Sequence, residues 1–130
     1  MSGPFAAHPV PFAAAMARGL FRARIVGATD ADTIVALLDS GHDGARTLAL
    51  RVAGVNAAEV RGGTPATRAA GKAAALWADA AVRGRWALVR TYRQSFARYV
   101  ADVALVGDDG AEQDFAALLV AEGLAVRVMA

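Results

Sequence analysis

The chain has no cysteine, a single lysine (Lys72) and only two histidines, His8 and His42. Without thiols there is no disulfide, no thiolate metal site and no sulfur nucleophile, so stability requires no oxidising compartment. Neither histidine has a second at ligand spacing. His8 lies in a proline-rich stretch and His42 in a glycine-rich turn, which argues against a histidine-built metal site and predicts two solvated side chains. Arg61-Gly62-Gly63-Thr64 lacks P-loop spacing and its lysine, which argues against nucleoside triphosphate chemistry. The apolar stretch Pro11 to Leu20 follows no basic segment, contains Arg18 and is too short to span a bilayer. No signal peptide, transmembrane segment or membrane partner is expected, which makes the cytoplasm the default location.

What is present is enough apolar material for one core: 56% of the 130 residues are hydrophobic. The net charge is +2 and the pI about 9.7, with the cationic excess almost all arginine. That balance is only mildly basic, but its placement is pointed. From Val82 to Tyr99 the chain carries Arg83, Arg85, Arg90, Arg93 and Arg98 without one acid, interleaved with Trp86, Tyr92, Phe96 and Tyr99. Cations alternating with rings suit a nucleic-acid surface; the same rings could equally be core and the arginines a solvated rim.

Residues 1–20 read as an arm available for a homo-oligomer contact. Pro4, Pro9 and Pro11 block regular structure there, and a short helix is expected at Ala13 to Arg18. A single domain is expected over 21–130. Phe21 to Val26, Thr33 to Leu38 and Thr47 to Val55 read as strands, with turn chemistry from Asp39 to Gly44. Alternation in the third places Leu48, Leu50 and Val52 inward and Arg51 on the other face. Thr64-Pro65 starts a helix through Ala81 with Leu76 and Trp77 as its large apolar anchors, and Gly84 ends it. Trp86 to Tyr92 and Tyr99 to Val106 are two further strands. Asp114 caps a second helix that runs through Glu122 and stops at Gly123, and Leu124 to Val128 is a last extended segment. Five principal strands with a helix after the third and another after the fifth is the order of the oligonucleotide-binding (OB) barrel.

Between these runs lie the polar residues. Asp30 and Asp32 flank Ala31 in turn chemistry, so Asp32, beside the second strand, is assigned to metal and Asp30 to local structure; an Asx turn would account for the tripeptide alone equally well. Arg51, between Leu50 and Val52, needs an anion, a buried partner or a solvated face. In Gly54-Val55-Asn56-Ala57-Ala58-Glu59, Gly54 permits close packing and Asn56 offers a neutral oxygen. Asp32, Asn56 and the Ala57 carbonyl form a partial shell for a hard cation such as Ca²⁺, weak because it has one full carboxylate. Asp102, four residues after Arg98, reads as a structural partner rather than a general acid.

Four segments in order resemble the staphylococcal nuclease-like (thermonuclease) domains: Val26 to Ile34 with Asp30-Ala31-Asp32-Thr33; Leu50-Arg51-Val52-Ala53-Gly54-Val55-Asn56-Ala57-Ala58-Glu59; Ser95-Phe96-Ala97-Arg98-Tyr99-Val100-Ala101-Asp102-Val103; and Leu118 to Ala125. The resemblance runs from about Phe21 to Ala125. It implies a five-stranded OB-fold with two helices, lacking the family's third C-terminal helix. It implies Ca²⁺-dependent endonucleolytic hydrolysis of DNA or RNA, single-stranded by preference, leaving 3′-phosphate ends. In that scheme Asp32, Asn56 and the Ala57 carbonyl hold calcium, Glu59 orients or deprotonates the attacking water, and Arg51 and Arg98 clamp the phosphate. The chain departs from the family at Ala31, Ala58 and Ala97, where Gly, Pro and Gly are usual, at Gln94 in place of a frequent aspartate, and at Asn56, which removes a charge from the metal shell. These departures carry the competing expectation of a weakened or inactive barrel that serves as a nucleic-acid-binding or protein-assembly module.

Overall fold

The computed structural model describes residues 3–57, 63–95 and 98–128. A short helix α1 (Phe12–Ala17) precedes three antiparallel strands, β1 (Phe21–Asp30), β2 (Thr33–Gly41) and β3 (Gly44–Val52). β2 runs through the expected turn as far as Gly41 because two residues suffice to reverse the chain: His42 and Asp43 both take positive φ, 53° and 60°, the twist a tight hairpin needs. After β3 a brief β4 (Val55–Ala57) leads towards α2 (Pro65–Val82), which is followed by β5 (Trp86–Ser95), β6 (Arg98–Val106), β7 (Glu112–Asp114), α3 (Phe115–Ala121) and β8 (Ala125–Arg127).

β1 pairs with β2 and β5, β2 with β3, and β5 with β6, all antiparallel. Parallel pairing of β3 with β6, in the register Leu50↔Tyr99, Arg51↔Val100 and Val52↔Ala101, closes these five strands into a mixed barrel. β7 extends β6 outward, and β4 pairs separately with β8. Inside the barrel Ile25, Ile34, Leu50, Val52, Val89, Val103 and Leu105 are buried, and α3 contributes Phe115 and Leu119 to the same core. Each such side chain contributes about 1.5–3 kcal/mol of transfer free energy.

The helix starts behave as the sequence indicates. Thr64 Oγ1 accepts from Thr67 N at 3.2 Å ahead of Pro65, Asp114 Oδ2 accepts from Ala117 N at 2.9 Å, and Gly123 has φ 72° just past α3. Of the two anchors expected for α2, Trp77 packs against the core and Leu76 does not. The buried stripe of the helix is Gly71, Ala74, Ala75, Ala78 and Val82, Trp77 is half-buried, and Leu76 is 73% exposed. Small residues at helical spacing let α2 lie close on β1, and that periodicity turns Leu76 away. Gly54 also has a different reason from the one expected: φ is 79°, and nothing lies within 4 Å of where a Cβ would be, so it serves the turn rather than close packing.

The arm lies on its own barrel. Ala15 packs with Leu88 and Val106 on the outer face of β5 and β6, flanked by Val10, Leu20, Trp86 and Ala104. His8, expected in solvent, is buried instead: Nε2 donates to the Ala87 carbonyl and Nδ1 accepts from Val10 N, both at 3.0 Å. Arg22 is held at 2.9 Å by Asp39, and its guanidinium lies 5.8 Å from the ring centres of both Phe5 and Phe12. Among the described residues no helix is long and apolar enough to cross a membrane.

Candidate active site

The barrel's closure assembles the polar residues. Thr33 pairs with Arg51 across β2 and β3, and Arg51 with Val100 across β3 and β6. Since Ile34, Leu50 and Ala101 point into the core, their alternating neighbours Thr33, Arg51 and Val100 share the outer face. Asp32 lies in the two-residue link from β1 to β2, held from both sides of its backbone and side chain. Its carbonyl accepts from Val52 N at 2.8 Å, and Oδ2 accepts from Ala57 N at 2.8 Å. Ala57 thus meets the site through its N–H.

Asp32 is 7% exposed and answers a cation. Arg51 forms an ion pair with it through Nη1 and donates from Nη2 to Asn56 Oδ1, so one guanidinium joins the carboxylate and the amide oxygen. This resolves the question that Arg51 posed as a charge in a sheet: its partner is Asp32. Thr33 Oγ1 bonds to Asp32 Oδ1 at 3.3 Å and accepts from Arg98 Nη1 at 3.1 Å. Thr33 is 4% exposed, so this hydroxyl is a buried joint between the carboxylate and the second arginine. Among the described residues Arg98 makes no ion pair.

Five of the six residues singled out from the sequence therefore converge: Asp32, Arg51, Asn56, Ala57 and Arg98. The sixth, Glu59, lies outside the described residues, as do Ala58 and Ala97. Ala31 is buried with no positive φ, so alanine is accommodated in its turn without backbone strain. Thr33 was read from the sequence as the start of the second strand and the last residue of Asp30-Ala31-Asp32-Thr33, with no part in the site. The signal for its role was its place in the strand directly opposite Arg51. Asp102 accepts from the Tyr92 hydroxyl, in keeping with a structural role, and this bond raises the pKa of the phenol.

Asp32 Oδ2 and Asn56 Oδ1 both reach the Arg51 guanidinium, so two hard oxygen donors converge on a position that suits positive charge. Oxygen donors of this kind are the ones a hard cation such as Ca²⁺ takes. The set is sparse in charge, because no group of three or more His, Cys, Asp or Glu side chains gathers among the described residues. No protein-family model matches the chain, and no curated protein matches it as a relative.

Proposed function

We propose that this cluster is a phosphodiester-hydrolysing site of the staphylococcal nuclease type, carried on an OB-type barrel and acting on single-stranded DNA or RNA. The observation that carries this reading is the convergence of two arginines, a buried carboxylate and an amide oxygen on one outer face, where Arg98 has no ion-pair partner among the described residues. A phosphate diester seated against Arg98 and Arg51 has its charge neutralised. As water adds to phosphorus the equatorial oxygens gain negative charge, and guanidiniums already fixed in place stabilise that charge without reorganisation. The 5′ oxygen then leaves with a proton, and the phosphate stays on the 3′ side. Glu59 is assigned to the attacking water on the resemblance alone. Asp32 and Asn56 would hold Ca²⁺, which supplies Lewis-acid polarisation of the phosphoryl oxygens when bound.

The test is cleavage of single-stranded DNA by the purified chain with Ca²⁺ and with chelator. Activity that requires the ion and falls by on the order of 10²-fold in Arg98→Ala supports the mechanism. Equal activity in both conditions, or an unaffected variant, defeats it. A second reading, a binding module without catalysis, draws on the Arg51 contact with Asp32 and Asn56, which occupies the metal donors from within. Salt-sensitive binding with no cleavage would favour it.

A further inference from the structure

Resting on the nuclease reading, we infer that Tyr92 is the base-stacking platform of the site, so that a nucleotide whose phosphate lies at Arg51 and Arg98 lays an unpaired base on that ring. Of the rings interleaved with arginine, Tyr92 is the exposed one among the described residues. Trp86 is covered, with His8 at 5.1 Å, Phe5 at 6.4 Å and the Arg24 guanidinium at 5.2 Å from its centre. Tyr99 packs against the core, and Phe96 lies outside the described residues. Tyr92 is 57% exposed.

Its position follows from the register. Val100 pairs with Arg51 on one side of β6. On the other side it falls between the pairs Thr91↔Ala101 and Gln94↔Tyr99, where β5 shifts register, which is where Tyr92 stands. Two strand spacings, about 10 Å, therefore separate Tyr92 from Arg51 on the same outer face. The arm covers Leu88 and Val106 further along that face, and its buried cluster does not include Tyr92.

The ring is also held and the charge around it is favourable. The Tyr92 hydroxyl donates to Asp102, which tethers the far end of the side chain and engages the nearest carboxylate. Arg90, the register partner of Asp102, is exposed and forms no ion pair among the described residues; its guanidinium gives one bond, to the Arg18 carbonyl at 3.3 Å. A fixed aromatic face between arginines is the recognition unit for single strands, because every base has a π-face and a duplex has already used its own. The surface thereby selects single-stranded over paired substrate.

The experiment measures binding of the full chain, in chelator so that nothing is cut, to a labelled oligothymidylate and to an abasic oligomer of equal length and charge. Tyr92→Ala is expected to weaken binding to oligothymidylate by on the order of tenfold or more, the size of one base–aromatic stack, and to leave the abasic affinity unchanged. Tyr92→Phe, which keeps the ring but gives up the tether to Asp102, is expected to keep most of the oligothymidylate affinity and to fall well short of the loss in Tyr92→Ala. If Tyr92→Ala changes nothing, weakens both oligomers equally, or is matched by Tyr92→Phe, the stacking assignment is overturned while the nuclease reading stands. If the natural chain binds neither oligomer, the reading of the site fails and the inference with it.

Discussion

Arg98 donates to the Thr33 hydroxyl at 3.1 Å, and the same hydroxyl bonds to Asp32 Oδ1 at 3.3 Å, so a single oxygen ties the late arginine to the early carboxylate. A hydroxyl that accepts from a guanidinium can give its one hydrogen to the carboxylate, so both bonds are satisfied at once. Thr33→Val keeps the β-branched shape and removes both. The expected outcome is a fall in kcat for single-stranded DNA of on the order of tenfold, from looser aim of Arg98, with a loss of about 1 kcal/mol in stability. Thr33→Ser should restore most of the rate. Steady-state kinetics of the two variants decide the matter, since a purely structural role would leave serine and valine with the same kcat.

Arg51 behaves as an internal cation in the position where Asp32 and Asn56 oxygens meet. Removing it should therefore tighten calcium binding in the absence of nucleic acid, even though cleavage collapses. For Arg51→Met the expected drop in the calcium dissociation constant is on the order of tenfold, a modest fraction of the repulsion between a cation and a guanidinium in a partly buried site. Asn56→Asp should also tighten the ion by adding a second strong oxygen ligand. The new carboxylate holds Arg51 harder as well, so its full effect is expected only in the Arg51→Met background. Calorimetric calcium titration of the three variants checks this, and an unchanged constant in Arg51→Met would place the ion away from these two oxygens.

Much of this site was legible because its residues sit at ends of strands whose alternation is plain. Leu50 and Val52 turn inward, so Arg51 must face out, and Asp32 falls in a short link between two apolar runs. The partners were not legible. That Arg51 closes on Asp32 follows from the β2–β3 register, which sets Thr33 opposite it, whereas Arg98 and Asn56 join them only through the parallel joining of β3 to β6 and the short β4, which pairs with the distant β8. Three-residue strands carry too little pattern to be read from periodicity. The alanine face of α2 was hidden because large apolar residues draw attention, whereas a helix pressed on a sheet buries its small ones. His8 was misread for a related reason: its burial comes from the arm folding onto Ala87, a contact across 79 positions that no local signal announces.

His8 provides a pH-dependent hold on that arm. Burial, as the largest cause, lowers its pKa from the usual 6.5, and the ring accepts from Val10 N on one nitrogen while giving its hydrogen to the Ala87 carbonyl from the other. A second proton would face the Val10 N–H. Between the lowered value and 6.5 the unfolded chain binds more protons than the folded one, so stability falls as pH drops through that window. Melting temperatures of the natural chain and His8→Gln, followed from about pH 7 to about pH 5, should converge as pH falls. Parallel curves would show that this histidine does not report on folding.

Asp79 fastens the end of α2 to β1. Its Oδ1 accepts from Ala28 N at 2.9 Å, and the carboxylate pairs with Arg83 at 2.9 Å. The Ala28 bond first, and Arg83 next, hold its pKa below the usual carboxylate value, so its contribution is complete above the unfolded value of 3.8 and is lost as pH falls through the folded one. Gly27 makes room for this fastening: a Cβ there would lie 2.6 Å from Asp79 Oδ1 and 3.1 Å from Arg83 Nη2. Asp79 is a short side chain tied at both oxygens, so it cannot yield without giving up the Ala28 N–H. Gly27→Ala is expected to destabilise the chain by about 1–3 kcal/mol, the usual cost of overpacking. In an Asp79→Ala background the obstacle is gone, and the same substitution should cost less. Urea unfolding of the two single variants and the double variant measures this coupling. Strict additivity would mean that Gly27 is required by something other than its contact with Asp79.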